Sequence, residues 1–151
     1  MTDQSIEIDI DAPADRVWDI LSDARAWPTW TPSVTSVEVL GDGPLRVGSR
    51  ARLKQPRIGT TQWTVTELVP GRGFTWESRG PGFLTVARHE VEPLDDARAR
   101  VRLSVSQSGI IGGPVGRLFY RGLTDRYLAM EATGLKARAE AAPPASPQHT
   151  E

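Results

Sequence analysis

The feature that most restricts the fold is one long two-sided segment at the end of a chain that otherwise reads as short strands. The spacing predicts a helix from Gly113 to Glu140, with Pro114 in the first turn, where a missing N–H costs nothing. Val115, Phe119, Leu123, Tyr127 and Met130 recur at steps of four, four, four and three and define an apolar stripe. Leu118, Leu128 and Leu135 widen it, while Arg117, Arg121, Asp125, Glu131, Lys136 and Arg138 take other angles. A helix of this length and polarity needs a concave apolar partner. Its stripe serves either as plain core or, in part, as the wall of a ligand cavity.

The partner is supplied by the segments before it. Ser5 to Asp11 alternates Ile6, Ile8 and Ile10 with acidic residues, the pattern of a half-buried strand. Asp11-Ala12-Pro13 then marks a helix start, with Asp11 as the expected cap and Asp15 in the first turn. Val17, Ile20 and Leu21 give that short helix its inner face. Two prolines four residues apart exclude a regular helix over Trp27-Pro28-Thr29-Trp30-Thr31-Pro32, which reads as a connector carrying two tryptophans. Strands follow around Val37–Val39, Arg50–Gln55, Gln62–Val69, Phe74–Glu77, Phe83–Glu92 and Ala99–Ser106, punctuated by glycine, proline and aspartate turns. The layout is α+β: about seven antiparallel strands, one or two short helices after the first, and a closing long helix gripped by a curved sheet. Residues 1–140 are expected to form one domain. The Ala-Pro-rich stretch 141–151 is expected to be a disordered tail.

Bulk properties exclude more than they assign. At 151 residues with 38% hydrophobic and 25% charged residues, the chain can bury a substantial single core. A formal net charge of −1 gives no general attraction for nucleic acid or anionic membranes. The absence of cysteine removes disulfides, thiolate nucleophiles and cysteine metal sites. No apolar run reaches membrane-spanning length and the N-terminus lacks a signal-peptide layout, so the expected location is cytoplasmic, without integral membrane association. Few apolar residues are assigned to solvent, which suits a monomer or weak dimer.

Four stretches taken together resemble the START-like, or SRPBCC, helix-grip superfamily, and in particular its polyketide cyclase/dehydrase branch. They are the opening strand running into Ala12-Pro13-Ala14-Asp15-Arg16-Val17-Trp18, the Trp27–Pro32 connector, His89-Glu90-Val91-Glu92-Pro93, and Glu131-Ala132-Thr133-Gly134-Leu135-Lys136. They mark the fold over roughly residues 4 to 140 and carry no catalytic signature. The resemblance implies a deep cavity between sheet and long helix, used for lipids, polyketides or other apolar molecules. Its members include cyclases, aromatases, hydrolases, carriers and protein-binding regulators, with no shared catalytic set to transfer.

The residues themselves narrow the chemistry. Only two histidines occur, one of them, His149, in the tail, so a histidine-based metal site is not expected. No phosphate-binding glycine loop and no Gly-x-Ser-x-Gly elbow is present, and no cofactor is expected. His89 remains. It shares a strand face with Ala87 and Val91, where it acts either as a general acid/base in a cyclisation or dehydration or as a satisfied core histidine. Gln55, Ser78 and Tyr127 are inward polar candidates for orienting a carbonyl or phenol. Trp63 and Trp76 are expected to face inward, the resemblance implies that Trp27 and Trp30 lie near the cavity entrance, and Leu103, Val105, Phe119, Leu123 and Met130 are expected to complete the apolar lining. Charged rows Arg50-Arg52-Lys54 and Arg98-Arg100-Arg102 lie on the outer face with Glu7, Asp9, Glu77, Glu90 and Glu92, which predicts cross-strand pairing.

Three readings follow. The first is a binder of a small hydrophobic or aromatic, lipid- or polyketide-like ligand. The second is a cyclase/dehydrase using His89, with Tyr127 or Gln55 orienting the substrate. The third is a protein-interaction module with a filled interior. A cavity of roughly 300 Å³ or more separates the first two from the third.

Overall fold

Strong alternation became strand throughout. The computed structural model describes residues 2–109 and 113–141, so residues 142–151 of the tail expected over 141–151, His149 among them, lie outside the described residues. The strands are β1 (Thr2–Ile10), β2 (Ser36–Leu40), β3 (Arg50–Gln55), β4 (Gly59–Val69), β5 (Gly73–Gly80), β6 (Phe83–Pro93) and β7 (Ala99–Gly109). All seven pair antiparallel in one open sheet of order β1-β7-β6-β5-β4-β3-β2. Helix α1 (Ala14–Ser22) and a 3₁₀ segment (Ala24–Thr29) carry the chain from β1 across to the far edge at β2. Helix α2 (Gly113–Glu140) has the bounds its sequence predicts. This is a helix-grip arrangement, an open antiparallel sheet closed by one long C-terminal helix.

Pairing of β1 with β7 sets Ile6 opposite Leu103, Ile8 opposite Val101 and Ile10 opposite Ala99, so the isoleucine face joins the buried row of the last strand. On the other face, Arg100 meets Asp9 at 2.8 Å and Arg102 meets Glu7 at 3.9 Å, and Arg52 on β3 reaches Glu38 on β2 at 3.6 Å. These are exposed cross-strand pairs and contribute little to stability. Strand β4 breaks register between Val65 and Glu67, leaving Thr66 without a partner in the β5 pairing. Such a bulge sharpens the local bend of the strand.

Helix α1 starts without a side-chain cap: Pro13 holds the cap position, so Asp11 does not cap it as expected. A proline there fixes the entry dihedral but offers no oxygen. Instead the Asp11 backbone N–H donates to Glu140 at the far end of α2, 2.9 Å away. The entry to α1 and the end of α2 are tied together at this corner. Arg16 of α1 donates to the Ala139 carbonyl (2.7 Å) and the Ala141 carbonyl (2.9 Å), satisfying carbonyls that α2 leaves open at its C-terminal, electronegative end. Arg16→Ala is therefore expected to cost about 1–2 kcal/mol in urea unfolding. An unchanged midpoint would show that water serves these carbonyls equally well.

The phase of α2 differs from the expected stripe. Val115 and Leu118 are 80% and 72% exposed and Phe119 is 47% exposed, whereas Leu123, Tyr127, Leu128, Ala132, Leu135 and Ala139 are buried. The cause is geometric. A residue advances about 100° around a helix, so each step of four drifts about 40° past a full turn. Three such steps from Val115 to Tyr127 rotate the stripe by about 120°, which carries its beginning out to solvent.

Candidate functional site

Between the sheet and α2 lies a cavity of about 240 Å³. Its floor is an aromatic cluster. Trp27 contacts Trp76 (ring centroids 5.1 Å) and His89 (5.5 Å), Trp76 contacts Trp63 (5.6 Å), and His89 stacks on Phe74 at 4.2 Å with the rings 11° from parallel. Trp27 is anchored by its indole N–H, which donates to the Leu21 carbonyl at 3.0 Å. Trp63 is anchored through Thr61 Oγ1 at 2.9 Å. Such rings give a rigid apolar wall with large contact area. Leu53, Ala87, Leu103 and Val105 continue it along β3, β6 and β7.

Of the residues singled out above, Trp27, Gln55, Trp63, Trp76, Ser78, His89, Leu103, Val105 and Tyr127 line this cavity, and four do not. Phe119 points to solvent through the stripe drift. Leu123 is buried but lies about 40° from Tyr127 around the helix, away from the lining positions. Met130, about 60° from Tyr127 on the same side, is half-buried and also misses the cavity. Trp30 packs edge-on against Trp27 (5.9 Å) and behind it, beside Gly134 of α2.

The helix presents a different row: Tyr120, Thr124, Tyr127 and Glu131, with Leu128 at its margin. Tyr127 donates its hydroxyl to the Pro56 carbonyl and so ties α2 to the turn after β3. Glu131 is the principal residue that sequence reading missed. Its Oε1 accepts from Ser33 Oγ at 3.2 Å; Ser33 in turn lies 2.8 Å from Thr31 Oγ1, and both hydroxyl residues are fully buried. The connector thus holds a carboxyl inside an apolar pocket. Burial disfavours its charge and pushes the pKa from 4.5 up to about 7, while the Ser33 hydrogen bond opposes part of that rise.

His89 moves the other way. Burial lowers its pKa from 6.5 to about 4, against a smaller opposing effect of its bond to the Phe74 carbonyl. That carbonyl can only accept, so Nδ1 at 3.2 Å carries the proton and Nε2 keeps its lone pair. The imidazole is therefore neutral at pH 7. His89 can accept a hydrogen bond or a proton through Nε2, and the group poised near neutrality is Glu131.

Residues 1–140 match the family described as polyketide cyclase/dehydrase and lipid transport. The chain belongs to that family. Among solved structures, the polyketide cyclase/dehydrase-like fold here is similar to the ZhuI aromatase/cyclase from Streptomyces sp. R1128, with TM-score 0.77, 20% identity and coverage of 92% of this chain and 93% of that one. It is also similar to the di-domain ARO/CYC BexL (TM-score 0.74, 24% identity, 93% of this chain and 47% of that one). A START superfamily protein from Mycobacterium smegmatis gives TM-score 0.75 at 20% identity, covering 91% of this chain and 97% of that one. No protein of curated function matches the sequence. At these identities the neighbours support the fold, and the family membership supports a small-molecule partner in general terms. Among the described residues no helix is long and apolar enough to cross a membrane.

Proposed function

We propose that this protein binds a small hydrophobic or aromatic molecule, of lipid- or polyketide-like character, in the cavity between its sheet and α2. The observation that carries this reading is the cavity itself: about 240 Å³ walled by Trp27, Trp63, Trp76, Leu53, Leu103 and Val105, with a few polar groups set among them. The volume falls somewhat short of the 300 Å³ typical of drug-sized sites. An apolar cavity of about 150 Å³ accepts benzene, so the space suits a molecule of one or two rings, or one end of a longer chain. An interior filled by its own side chains, as an interaction module would have, fits less well.

Quenching of the intrinsic tryptophan fluorescence tests this directly. Titration with bicyclic aromatic ligands is expected to give saturable quenching, because Trp27, Trp63 and Trp76 all line the site. Ala87→Phe places a ring in the cavity from β6 and is expected to weaken that binding at least tenfold while the protein remains folded. Equal binding by the variant would place the ligand elsewhere and overturn the reading.

A cyclase/dehydrase-type reaction is the second reading, and one observation favours it. A carboxyl with a pKa near 7 and a neutral imidazole line the same apolar pocket, and proton transfer at neutral pH is served by groups tuned in this way. In that reading Glu131 is the acid and His89 the hydrogen-bond acceptor or base. Loss of product with Glu131→Gln, with ligand binding retained, would separate catalysis from carriage.

A further inference from the structure

Glu131 is held in a way that leaves one oxygen for a ligand. Ser33 Oγ–H is directed at Oε1, Thr31 Oγ1 backs Ser33 Oγ, and the Ser33 backbone N–H donates to Thr31 Oγ1 at 3.3 Å, so the connector's hydroxyls are committed to one another and to Oε1. Oε2 has no hydrogen-bond partner among the described residues. It is also not sealed off, because among the described residues the one buried side-chain polar atom without a partner is Trp30 Nε1. Glu131 is among the residues that line the cavity, so its unpartnered oxygen is within reach of a ligand held there.

We infer that Glu131 is the specificity-determining residue of this site: its free carboxyl oxygen meets a ketone or similar uncharged oxygen on the bound ring and, when protonated, donates to it, so that the cavity selects neutral keto-aromatic ligands over carboxylates. The inference rests on the binding role proposed above. A carbonyl only accepts and a protonated carboxyl can donate, so the pair is complementary. A carboxylate ligand would bring its charge into a pocket with no buried lysine or arginine among the described residues, and one neutral hydroxyl donor offsets only part of its desolvation. The other charged or titratable groups on the wall are His89 and Arg88 of β6 and Tyr120 and Tyr127 of α2. His89 stays neutral above about pH 4, the Arg88 residue is exposed, and the Tyr127 hydroxyl is engaged at Pro56; the connector contributes only hydroxyls.

The test is calorimetric titration of the full chain with 1-tetralone, tetralin and 1-naphthoate at pH 5.5 and 8.5. The wild type is expected to bind 1-tetralone about five- to tenfold more tightly than tetralin at pH 5.5, the worth of one net hydrogen bond. That advantage is expected to vanish at pH 8.5, and 1-naphthoate is expected to bind least. Glu131→Gln keeps a donor and is expected to retain the advantage at both pH values; Glu131→Leu is expected to abolish it while still binding tetralin. Equal affinity for tetralone and tetralin in the wild type at pH 5.5, or an unchanged pH response in Glu131→Gln, overturns this inference and leaves the apolar site standing. Failure of both tetralin and tetralone to bind removes the site and the inference together.

Discussion

Replacement of Glu131 by glutamine is expected to stabilise the protein at alkaline pH and to leave it nearly unchanged near pH 4. The carboxyl titrates near 4.5 when unfolded and about 7 when folded. As pH rises from 4.5 to 7 the unfolded chain gives up a proton that the folded chain retains, so stability falls across that window and levels off above it. The full difference is about 3 kcal/mol, and Glu131→Gln should recover it by pH 8. His89 has the opposite sign. Its ordinary pKa of 6.5 drops to about 4 in the fold, so its contribution is complete above 6.5 and is lost, again by about 3 kcal/mol, as pH falls to 4.

Between pH 4.5 and 6.5 the two slopes nearly cancel in the wild type. Each single variant should therefore expose the other group. Glu131→Gln is expected to gain stability steadily from pH 4 to 6.5, and His89→Gln to lose it from pH 4.5 to 7, on top of a constant packing cost from the lost stack on Phe74. Urea unfolding at half-unit pH intervals measures both slopes. Exposed carboxylates such as Asp9 titrate alike in every variant and drop out of the differences. Parallel curves for wild type and Glu131→Gln would mean that the carboxyl is hydrated in the fold, and would remove the electrostatic basis assigned to the site.

What the sequence made legible, and what it did not, follows from how each signal arises. Period-two alternation is a direct consequence of a sheet with one buried face, so Ile6-Ile8-Ile10 and Ala99-Val101-Leu103 read correctly as strands with correct inward faces. The helix ends were legible because Pro114 and the polar close at Glu140 are local signals. The face of α2 was not. Its apolar residues outnumber the positions the core can take, and Val115, Leu118 and Phe119 mimic a stripe that geometry rotates out of the core. The lining row of Tyr120, Thr124, Tyr127 and Glu131 has the spacing four, three, four, closer to the helical period than the apolar series. It was hidden because two of its members are polar, and a search for apolar periodicity passes over them. Gln4 was hidden for the same reason: it is buried in β1, where it donates to the Arg121 carbonyl and Asp125 of α2. The hydroxyl pair Thr31 and Ser33 carries no pattern at all, since its meaning depends on a carboxyl 98 residues away.

Gly134→Ala is expected to be among the most damaging single-methyl changes in this protein. A Cβ built at Gly134 would lie far inside contact distance of the Trp30 carbonyl oxygen, 3.0 Å from its carbonyl carbon and 3.3 Å from the Trp30 ring. The obstacle is backbone, so no rotamer change relieves it. Either α2 or the connector must move, and overpacking of this kind costs about 1–3 kcal/mol or more. The consequence also reaches the site. Trp30 immediately precedes Thr31, and Ser33 holds Glu131 three residues before Gly134 on the same helix. A connector pushed off α2 withdraws the hydroxyl that favours the charged carboxyl, so the Glu131 pKa should rise further as its stability falls. Thermal unfolding checks the first effect. The second is read as a shift to higher pH in the carboxyl titration, followed by the carbon chemical shift of a 13C-labelled glutamate. Wild-type stability for Gly134→Ala would mean that the connector stands farther from α2 in solution, and with it the Ser33–Glu131 contact on which the polar end of the cavity is built.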